Sequence, residues 1–154
     1  DKFNLDAISK FDKILLSPGP GIPDEAGLLK KVIEKYGPTK SILGICLGQQ
    51  AIAEVYGGSL KNLDEVFHGN SSNINLCVKD ESIFHGIKNN FQAARYHSWV
   101  VDKISKNLEV TSVDDNNQIM SLRHTKYDVR GVQFHPESIL TPCGKKIIEN
   151  WINN

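Results

Sequence analysis

Residues 41–50, Ser-Ile-Leu-Gly-Ile-Cys-Leu-Gly-Gln-Gln, decide the fold, because in them an apolar run passes directly into a helical pattern. Ser41–Ile45 predicts a short buried strand, and Leu47–Tyr56 predicts a helix. Cys46 stands at the junction, with a glycine two positions away on each side. This is the strand–turn–helix context of a nucleophile elbow, with cysteine in place of serine.

Outward from this stretch, the chain predicts a parallel sheet flanked by helices. Lys13–Ser17 is an apolar strand stopped by Pro-Gly-Pro-Gly, and Asp24–Tyr36 and Pro142–Ile152 have amphipathic helical spacing. A run of short strands between polar turns follows the second helix and predicts a small antiparallel annex. These strands are Asn73–Val78, Gln92–His97, Leu108–Val113, Gln118–Arg123 and Val129–Phe134. The predicted class is α/β.

Composition favours an ordinary globular protein, and we expect residues 1–154 to form a single domain. Its 18 Lys and Arg balance 18 Asp and Glu, which argues against a nucleic-acid or membrane-surface protein. Three cysteines without metal-type spacing favour a reduced, cytoplasmic setting. No metal site or cofactor is predicted, and Asp114-Asp115, beside Asn116-Asn117, is expected to lie in a solvated turn.

Cys46 is the strongest candidate for a nucleophile. Glycines on both sides fit the crowding of a tight turn, and the following helix presents free N–H groups that favour a thiolate. We expect this sulfur to be exposed and to be the only fast-reacting thiol. Cys77 and Cys143 lack this frame and are interpreted as structural.

A base for that nucleophile is offered by His135, two residues before Glu137. On an extended segment the two side chains project to the same side, so the carboxylate can hold one ring nitrogen while the other faces the sulfur. An oxyanion site is predicted at Ser17–Gly21, where the backbone N–H of Gly21 would act together with that of Leu47.

Four segments in this order resemble the class I glutamine amidotransferases: SPGPG, GICLGQQAIAEVYGG, RYHSWVV and GVQFHPESILTPCG. Within that family the sequence is most similar to component II of anthranilate synthase and aminodeoxychorismate synthase. The resemblance implies a flavodoxin-like fold and hydrolysis of glutamine to glutamate and ammonia through a γ-glutamyl thioester. It also implies a chorismate-binding synthase chain as the partner that receives the ammonia.

The resemblance assigns roles by position. Cys46 would be the nucleophile, His135 the base and acid, and Glu137 its orienter. Substrate contacts are implied for seven residues: Gly19, Pro20, Gly21, Leu47, Gln50, Ser98 and Trp99. Among them, Gln50 would recognise the substrate glutamine. His97 would support Ser98 and Trp99. Gln49 stands where His is common in the family, and Trp99 where Leu is common.

Family members normally begin with a strand and a helix before the segment aligned with Lys13–Ser17. This sequence begins with Asp-Lys-Phe-Asn, so the resemblance predicts that residues 1–154 lack this first unit, either because the chain is a fragment or because its numbering begins partway into the protein. Two other functions stay open: a stand-alone γ-glutamyl hydrolase, and a non-catalytic docking homologue. The anthranilate and p-aminobenzoate pathways are not separated by the sequence.

Overall fold

The computed structural model describes residues 4–154, and a seven-stranded sheet organises them. Three helices flank the sheet: α1 (Leu29–Tyr36), α2 (Leu47–Val55) and α3 (Gly144–Asn153). The strands are β1 (Lys13–Leu16), β2 (Ser41–Ile45), β3 (Ser59–Asn62), β4 (Asn70–Leu76), β5 (Asn90–Arg95), β6 (Trp99–Lys103), β7 (Leu108–Asp114), β8 (Ile119–His124) and β9 (Val129–Val132).

The sheet order is β1-β2-β9-β8-β7-β4-β5. β1, β2 and β9 are parallel, whereas β8, β7, β4 and β5 continue the same sheet with antiparallel pairing. This confirms the predicted α/β class and shows that most of the antiparallel strands extend the main sheet. A separate antiparallel pair, β3 and β6, lies outside it, and the strand pattern of the sequence did not reveal this pair.

The largest difference from the sequence prediction is in the first helix. The predicted helix Asp24–Tyr36 is divided into a 3₁₀ turn, Pro23–Glu25, and the shorter helix α1. Gly27 lies between them at a φ of +58°, a left-handed conformation that interrupts a right-handed helix. α2 and α3 begin and end within two residues of their predicted limits.

The core lies on both faces of the sheet, because successive side chains of a strand point to opposite sides. On one face Ile42 packs in a cluster with Ile33 of α1 and Ile52 of α2. On the other face Leu43 packs in a cluster with Trp151 of α3. β2 is therefore buried on both sides, and its carboxyl end lies deep in the molecule.

β1 stands at one edge of the sheet within the described residues, and a 3₁₀ helix, Leu5–Lys10, precedes it. Across residues 4–154, no helix has both the length and the apolar character needed to cross a bilayer.

Candidate active site

Cys46 occupies a strained turn between β2 and α2. Its φ of 52° and ψ of −101° are unusual for a residue with a Cβ atom, and such conformations cost on the order of 1–3 kcal/mol. The Cys46 N–H donates to the carbonyl of Val132 at 2.8 Å, which fastens the turn to the end of β9. The elbow predicted from the sequence is present as a backbone conformation.

The two glycines beside the elbow are required by space. A Cβ atom on Gly44 would lie 2.5 Å from the carbonyl carbon of Gly48, and one on Gly48 would lie 2.7 Å from the carbonyl oxygen of Leu16. Both distances are shorter than real Cβ contacts allow, and both involve backbone that cannot move aside. Strand β1, the elbow and helix α2 are thus packed backbone against backbone.

His135 and Glu137 are paired as the sequence predicted. His135 Nδ1 lies 2.6 Å from Glu137 Oε1, while His135 Nε2 is buried and has no hydrogen-bond partner among residues 4–154. A carboxylate only accepts, so the neutral imidazole places its proton on Nδ1 and leaves a lone pair on Nε2. The ring of Tyr96 packs edge-on against that of His135, with 5.0 Å between centroids.

The backbone of the His135 segment is fixed from three directions. The His135 N–H donates to the carbonyl of Ala94 at 3.0 Å, and the Thr141 hydroxyl donates to the His135 carbonyl at 2.7 Å. A Cβ atom on Gly144 would lie only 1.8 Å from the carbonyl oxygen of Pro136, so the start of α3 rests directly on this segment.

One cavity of about 240 Å³ is lined in part by Cys46. Every residue for which the family resemblance implied a substrate contact lines it: Gly19, Pro20, Gly21, Leu47, Gln50, Ser98 and Trp99. His135 and Glu137 are not part of this lining. Val66, Phe67 and His68 are, although no motif in the sequence assigned them to the site.

The environment of Cys46 corrects one expectation. The sequence predicted an exposed thiol favoured as a thiolate, but Cys46 is 6% exposed and Cys77 is the exposed cysteine. Burial raises the pKa of Cys46 to about 11, and the charge of Glu137 acts in the same direction. The backbone N–H of Leu47 and the side chain of Gln133 favour the thiolate but do not outweigh burial. The Cys46 sulfur is therefore a thiol at neutral pH.

A chain of three amide groups connects the cavity wall to the sulfur. Gln50 Nε2 donates to the Trp99 carbonyl at 2.8 Å and to Gln133 Oε1 at 3.2 Å. Gln133 Nε2 in turn donates to Cys46 Sγ at 3.5 Å. The carbonyl of Ser98 accepts from the N–H of Leu63 at 2.7 Å, so the carbonyls of Ser98 and Trp99 both have partners within the protein.

A buried ion pair lies behind Phe67 and His97, two residues that line the cavity. Arg95 Nη1 lies 2.7 Å from Asp114 Oδ2, and both side chains are at most 3% exposed. Arg95 Nε donates to His97 Nε2 at 3.0 Å, and the ring of Phe67 lies against both the guanidinium and the imidazole. Burial, followed by the charge of Arg95, lowers the pKa of His97 to about 3, so His97 is neutral.

The role of Asp114 corrects a second expectation. The surrounding Asp and Asn residues predicted a solvated turn, yet Asp114 is the last residue of β7 and is buried. Its other oxygen, Oδ1, accepts from the backbone N–H groups of Asn116 and Gln118 at 2.9 and 2.8 Å. Residues 114–117 form a turn, as predicted, but its first residue, Asp114, is buried.

Gln133 and Arg95 also belong to the site and were missed. Gln133 lies two residues before His135, but the chain bends at residues 133–134, so strand alternation does not account for its position. Arg95 offers no pattern either, since its partners lie on distant segments. Within the described part of the chain, no three His, Cys, Asp or Glu side chains are grouped so that they could hold a metal ion.

Comparison with known proteins identifies the family. The family model for class-I glutamine amidotransferases matches residues 2–154, and the chain belongs to that family. The chain is 41% identical to anthranilate synthase component 2 of Saccharolobus solfataricus, over 99% of this chain and 82% of that protein. It is also 41% identical to aminodeoxychorismate synthase component 2 of Escherichia coli, over 97% of this chain and 80% of that protein.

A solved structure agrees with this assignment. A protein of Thermoplasma acidophilum, provisionally described as a GMP synthase subunit, superposes with a TM-score of 0.86 and 25% identity. The superposition covers 97% of this chain and 75% of that one. The fold is thus that of a glutamine amidotransferase, and the chain is an enzyme of that family.

Proposed function

We propose that residues 1–154 act as a single glutaminase domain that hydrolyses glutamine through a γ-glutamyl thioester on Cys46 and passes ammonia to a chorismate-binding synthase chain. The observation that carries the proposal is the cavity lined by Cys46, because all seven residues expected to contact the substrate also line it. The relatives named as component 2 of two chorismate-using synthases support the choice of partner.

The reaction begins with removal of a proton from a buried thiol. His135 is suited to accept it, because Glu137 holds the Nδ1 side of the ring and Nε2 carries the free lone pair. The Cys46 sulfur then attacks the γ-carbonyl carbon of glutamine, and the carbonyl electrons move onto the oxygen. Formation of an imidazolium beside Glu137 offsets the cost of creating a thiolate in a buried site.

The developing oxyanion requires N–H donors near the sulfur. Leu47 is the first residue of α2, and its backbone N–H already interacts with Cys46. Gly21 lines the same cavity and has a φ of +74°, a conformation that glycine adopts without strain. We assign the N–H groups of Leu47 and Gly21 to this oxygen, and loss of one such donor typically costs about 2.7–4 kcal/mol of barrier.

Collapse of the tetrahedral intermediate breaks the bond between carbon and the amide nitrogen. The imidazolium of His135 gives its proton to the leaving nitrogen, so ammonia departs and an acyl thioester stays on Cys46. Water, deprotonated by His135, then attacks the thioester, and glutamate leaves as the sulfur recovers the proton. The substrate amide would be held by Gln50, with the backbone of Ser98 and Trp99 as the wall for its α-amino and α-carboxyl groups.

The mouth of the cavity is suited to a partner chain. Tyr96 and Val66 line the cavity and are 41% and 66% exposed. Ile139, two residues after Glu137, is 94% exposed. Exposed apolar side chains around a reaction site are typical of a surface that another protein covers, and coverage would keep ammonia from the solvent. The anthranilate and p-aminobenzoate synthases are equally compatible with this surface.

The test is a glutaminase assay on the chain alone, with a chorismate-using synthase chain, and with that chain plus chorismate. We expect weak activity alone and a rise at each addition, because the partner binds the active conformation better than the inactive one. Cys46→Ser should abolish glutamine-dependent synthesis and leave ammonia-dependent synthesis by the partner intact. Cys77→Ser is the matched control and should change neither.

Two results would redirect the proposal. Full glutaminase activity in the isolated chain, unchanged by any synthase chain, would favour a stand-alone γ-glutamyl hydrolase. Absence of activity under all three conditions, together with stable binding to the partner, would favour a non-catalytic docking homologue.

A further inference from the structure

Gln133 lies against the Cys46 sulfur, although the resemblance gave it no role and it does not line the cavity. It follows β9 directly and is completely buried. Its amide nitrogen is 3.5 Å from Cys46 Sγ, within the range of a hydrogen bond to sulfur. A primary amide can donate to a sulfur through its nitrogen or accept from a thiol S–H through its oxygen, so the orientation of the amide decides what it does.

That orientation is fixed by the groups behind it. The backbone carbonyl of Trp99 can only accept, so the Gln50 group that faces it at 2.8 Å is the amide nitrogen. The second N–H of that nitrogen requires an acceptor, and Gln133 Oε1 lies at 3.2 Å. With its oxygen so engaged, Gln133 turns its nitrogen toward Cys46. The assignment therefore follows from the bonding network and does not depend on distinguishing oxygen from nitrogen directly.

We propose that Gln133 is a catalytic residue that stabilises the thiolate of Cys46 by donating an amide hydrogen bond to Sγ, with its orientation set by Gln50 and the Trp99 carbonyl. The proposal rests on the nucleophilic role of Cys46 proposed above. It gives Gln133 a part in the step that creates the nucleophile, before any substrate carbon is attacked.

The site needs such a donor because the rest of its surroundings oppose a thiolate. Burial and the negative charge of Glu137 both raise the pKa of Cys46. Against them stand the N–H of Leu47 and the amide of Gln133. The Leu47 N–H is also the proposed oxyanion donor, so as the acyl group forms it must serve the carbonyl oxygen. Gln133 lies on the side of β9 and can stay on the sulfur throughout.

The network also links the sulfur to the substrate wall. Gln50 and Trp99 line the cavity, whereas Gln133 does not. A displacement of the Trp99 carbonyl would free the Gln50 amide to turn, and Gln133 would lose the contact that orients it. The donor on the sulfur therefore depends on an intact wall of the cavity.

The experiment measures how fast iodoacetamide alkylates Cys46 between pH 7 and 10, by mass spectrometry of the peptide that contains it, in the full chain. Below its midpoint the rate follows the thiolate fraction, so one unit of pKa is a tenfold change in rate. Gln133→Met keeps the volume and removes the donor, and we expect alkylation about tenfold slower at pH 8. Gln133→Glu places an acceptor on the sulfur and should slow it further.

Gln49→Met is the matched control. Gln49 is another fully buried glutamine, on α2, and neither atom of its amide has a hydrogen-bond partner among the described residues. Its replacement removes a buried amide without touching the sulfur. We expect its alkylation profile to coincide with that of the wild type.

Coincident profiles for wild type and both Gln133 variants would overturn the proposal, and so would an equal slowing in Gln49→Met. If a Gln133 variant fails to fold, the wild type supplies the answer through the ¹⁵N resonance of the Gln133 side chain. That resonance should shift with the same midpoint as the ionisation of Cys46, and a resonance that stays constant would contradict the contact. If the wild type has glutaminase activity but the Gln133 variants alkylate as the wild type does, only this inference is refuted. If the wild type has no glutaminase activity, the proposed function is refuted.

Discussion

The elbow at Cys46 and the part of the cavity wall formed by Phe67 and His97 are held in place by different interactions. The elbow depends on close backbone packing, in which Gly44 and Gly48 leave no room for a Cβ atom. The wall depends on a buried ion pair, Arg95 with Asp114, which supports His97 from behind. The elbow is therefore sensitive to an added side-chain atom, whereas the ion pair is sensitive to the removal of either partner.

Removal of one ion-pair partner should have the largest effect. Asp114→Ala leaves the Arg95 charge buried and unpaired, and we expect a loss of about 3–5 kcal/mol in the free energy of unfolding, measured with urea. The glutamine KM should rise as well, because His97 and Ser98 lose their support. Asp115→Ala is the matched control, since Asp115 is exposed and accepts a hydrogen bond from the half-buried Asn75 side chain, and it should cost about 0.5 kcal/mol or less.

The double replacement Arg95→Met with Asp114→Leu sharpens this point. If the position of His97 requires only that the space behind it is filled, the double variant will recover much of the unfolding free energy that Asp114→Ala loses. If it needs the hydrogen bond from Arg95 to His97, stability will recover while the glutamine KM stays high.

An added methyl group at the elbow should have the next largest effect. Gly44→Ala forces a Cβ atom to within 2.5 Å of backbone, and we expect about 1–3 kcal/mol of destabilisation together with loss of glutaminase activity. Gly86→Ala is the control, because its nearest neighbour would be 3.9 Å away and only its φ of +73° is strained. It should cost roughly 1–2 kcal/mol and leave kcat unchanged. Retained kcat in Gly44→Ala would show that the elbow relaxes.

The pH dependence of the free energy of unfolding tests the environment of His97. The pKa of His97 is about 3 in the folded chain, because of burial and the Arg95 charge, and near 6.5 when unfolded. Below pH 6.5 the unfolded chain binds a proton at His97, whereas the folded chain does not bind it until the pH approaches 3. The contribution of His97 to the free energy of unfolding is therefore fully present above pH 6.5 and is lost as the pH falls toward 3. His97→Gln keeps an acceptor for Arg95 but does not titrate. As the pH falls, the free energy of unfolding of this variant should decrease less steeply than that of the wild type. The difference between the two slopes should be on the order of 1 kcal/mol per pH unit or less.

The smallest effect should come from Cys77. It is the exposed thiol, and we expect a bulky neutral disulfide reagent to react with it well before the buried Cys46. Cys77→Ser should remove the fast phase of the reaction and change the free energy of unfolding by about 0.5 kcal/mol or less. A fast phase that persists would come from Cys46 or from the half-buried Cys143, and mass spectrometry of the labelled peptides would distinguish the two.

The elbow could be predicted from the sequence because its causes are local. Strand, glycine, cysteine, glycine and helix follow one another within residues 41–50, and the pairing of His135 with Glu137 depends on a spacing of two. The wall could not be predicted, since Arg95 and Asp114 come from different strands and neither lies in a pattern that names the other. A polar run such as residues 114–117 favours a turn in any sequence, and only the tertiary fold shows that Asp114 faces inward.

The contact between Gly144 and the Pro136 carbonyl has a consequence for the order in which the site comes into being on the ribosome. Synthesis proceeds from the amino end, so Cys46 emerges before Gln133, which follows it by 87 positions. The segment that bears the proposed base, His135, emerges next, and the start of α3, which packs against that segment, emerges after it. The thiol of Cys46 is therefore synthesised before the proposed base and before the helix that fixes the position of that base.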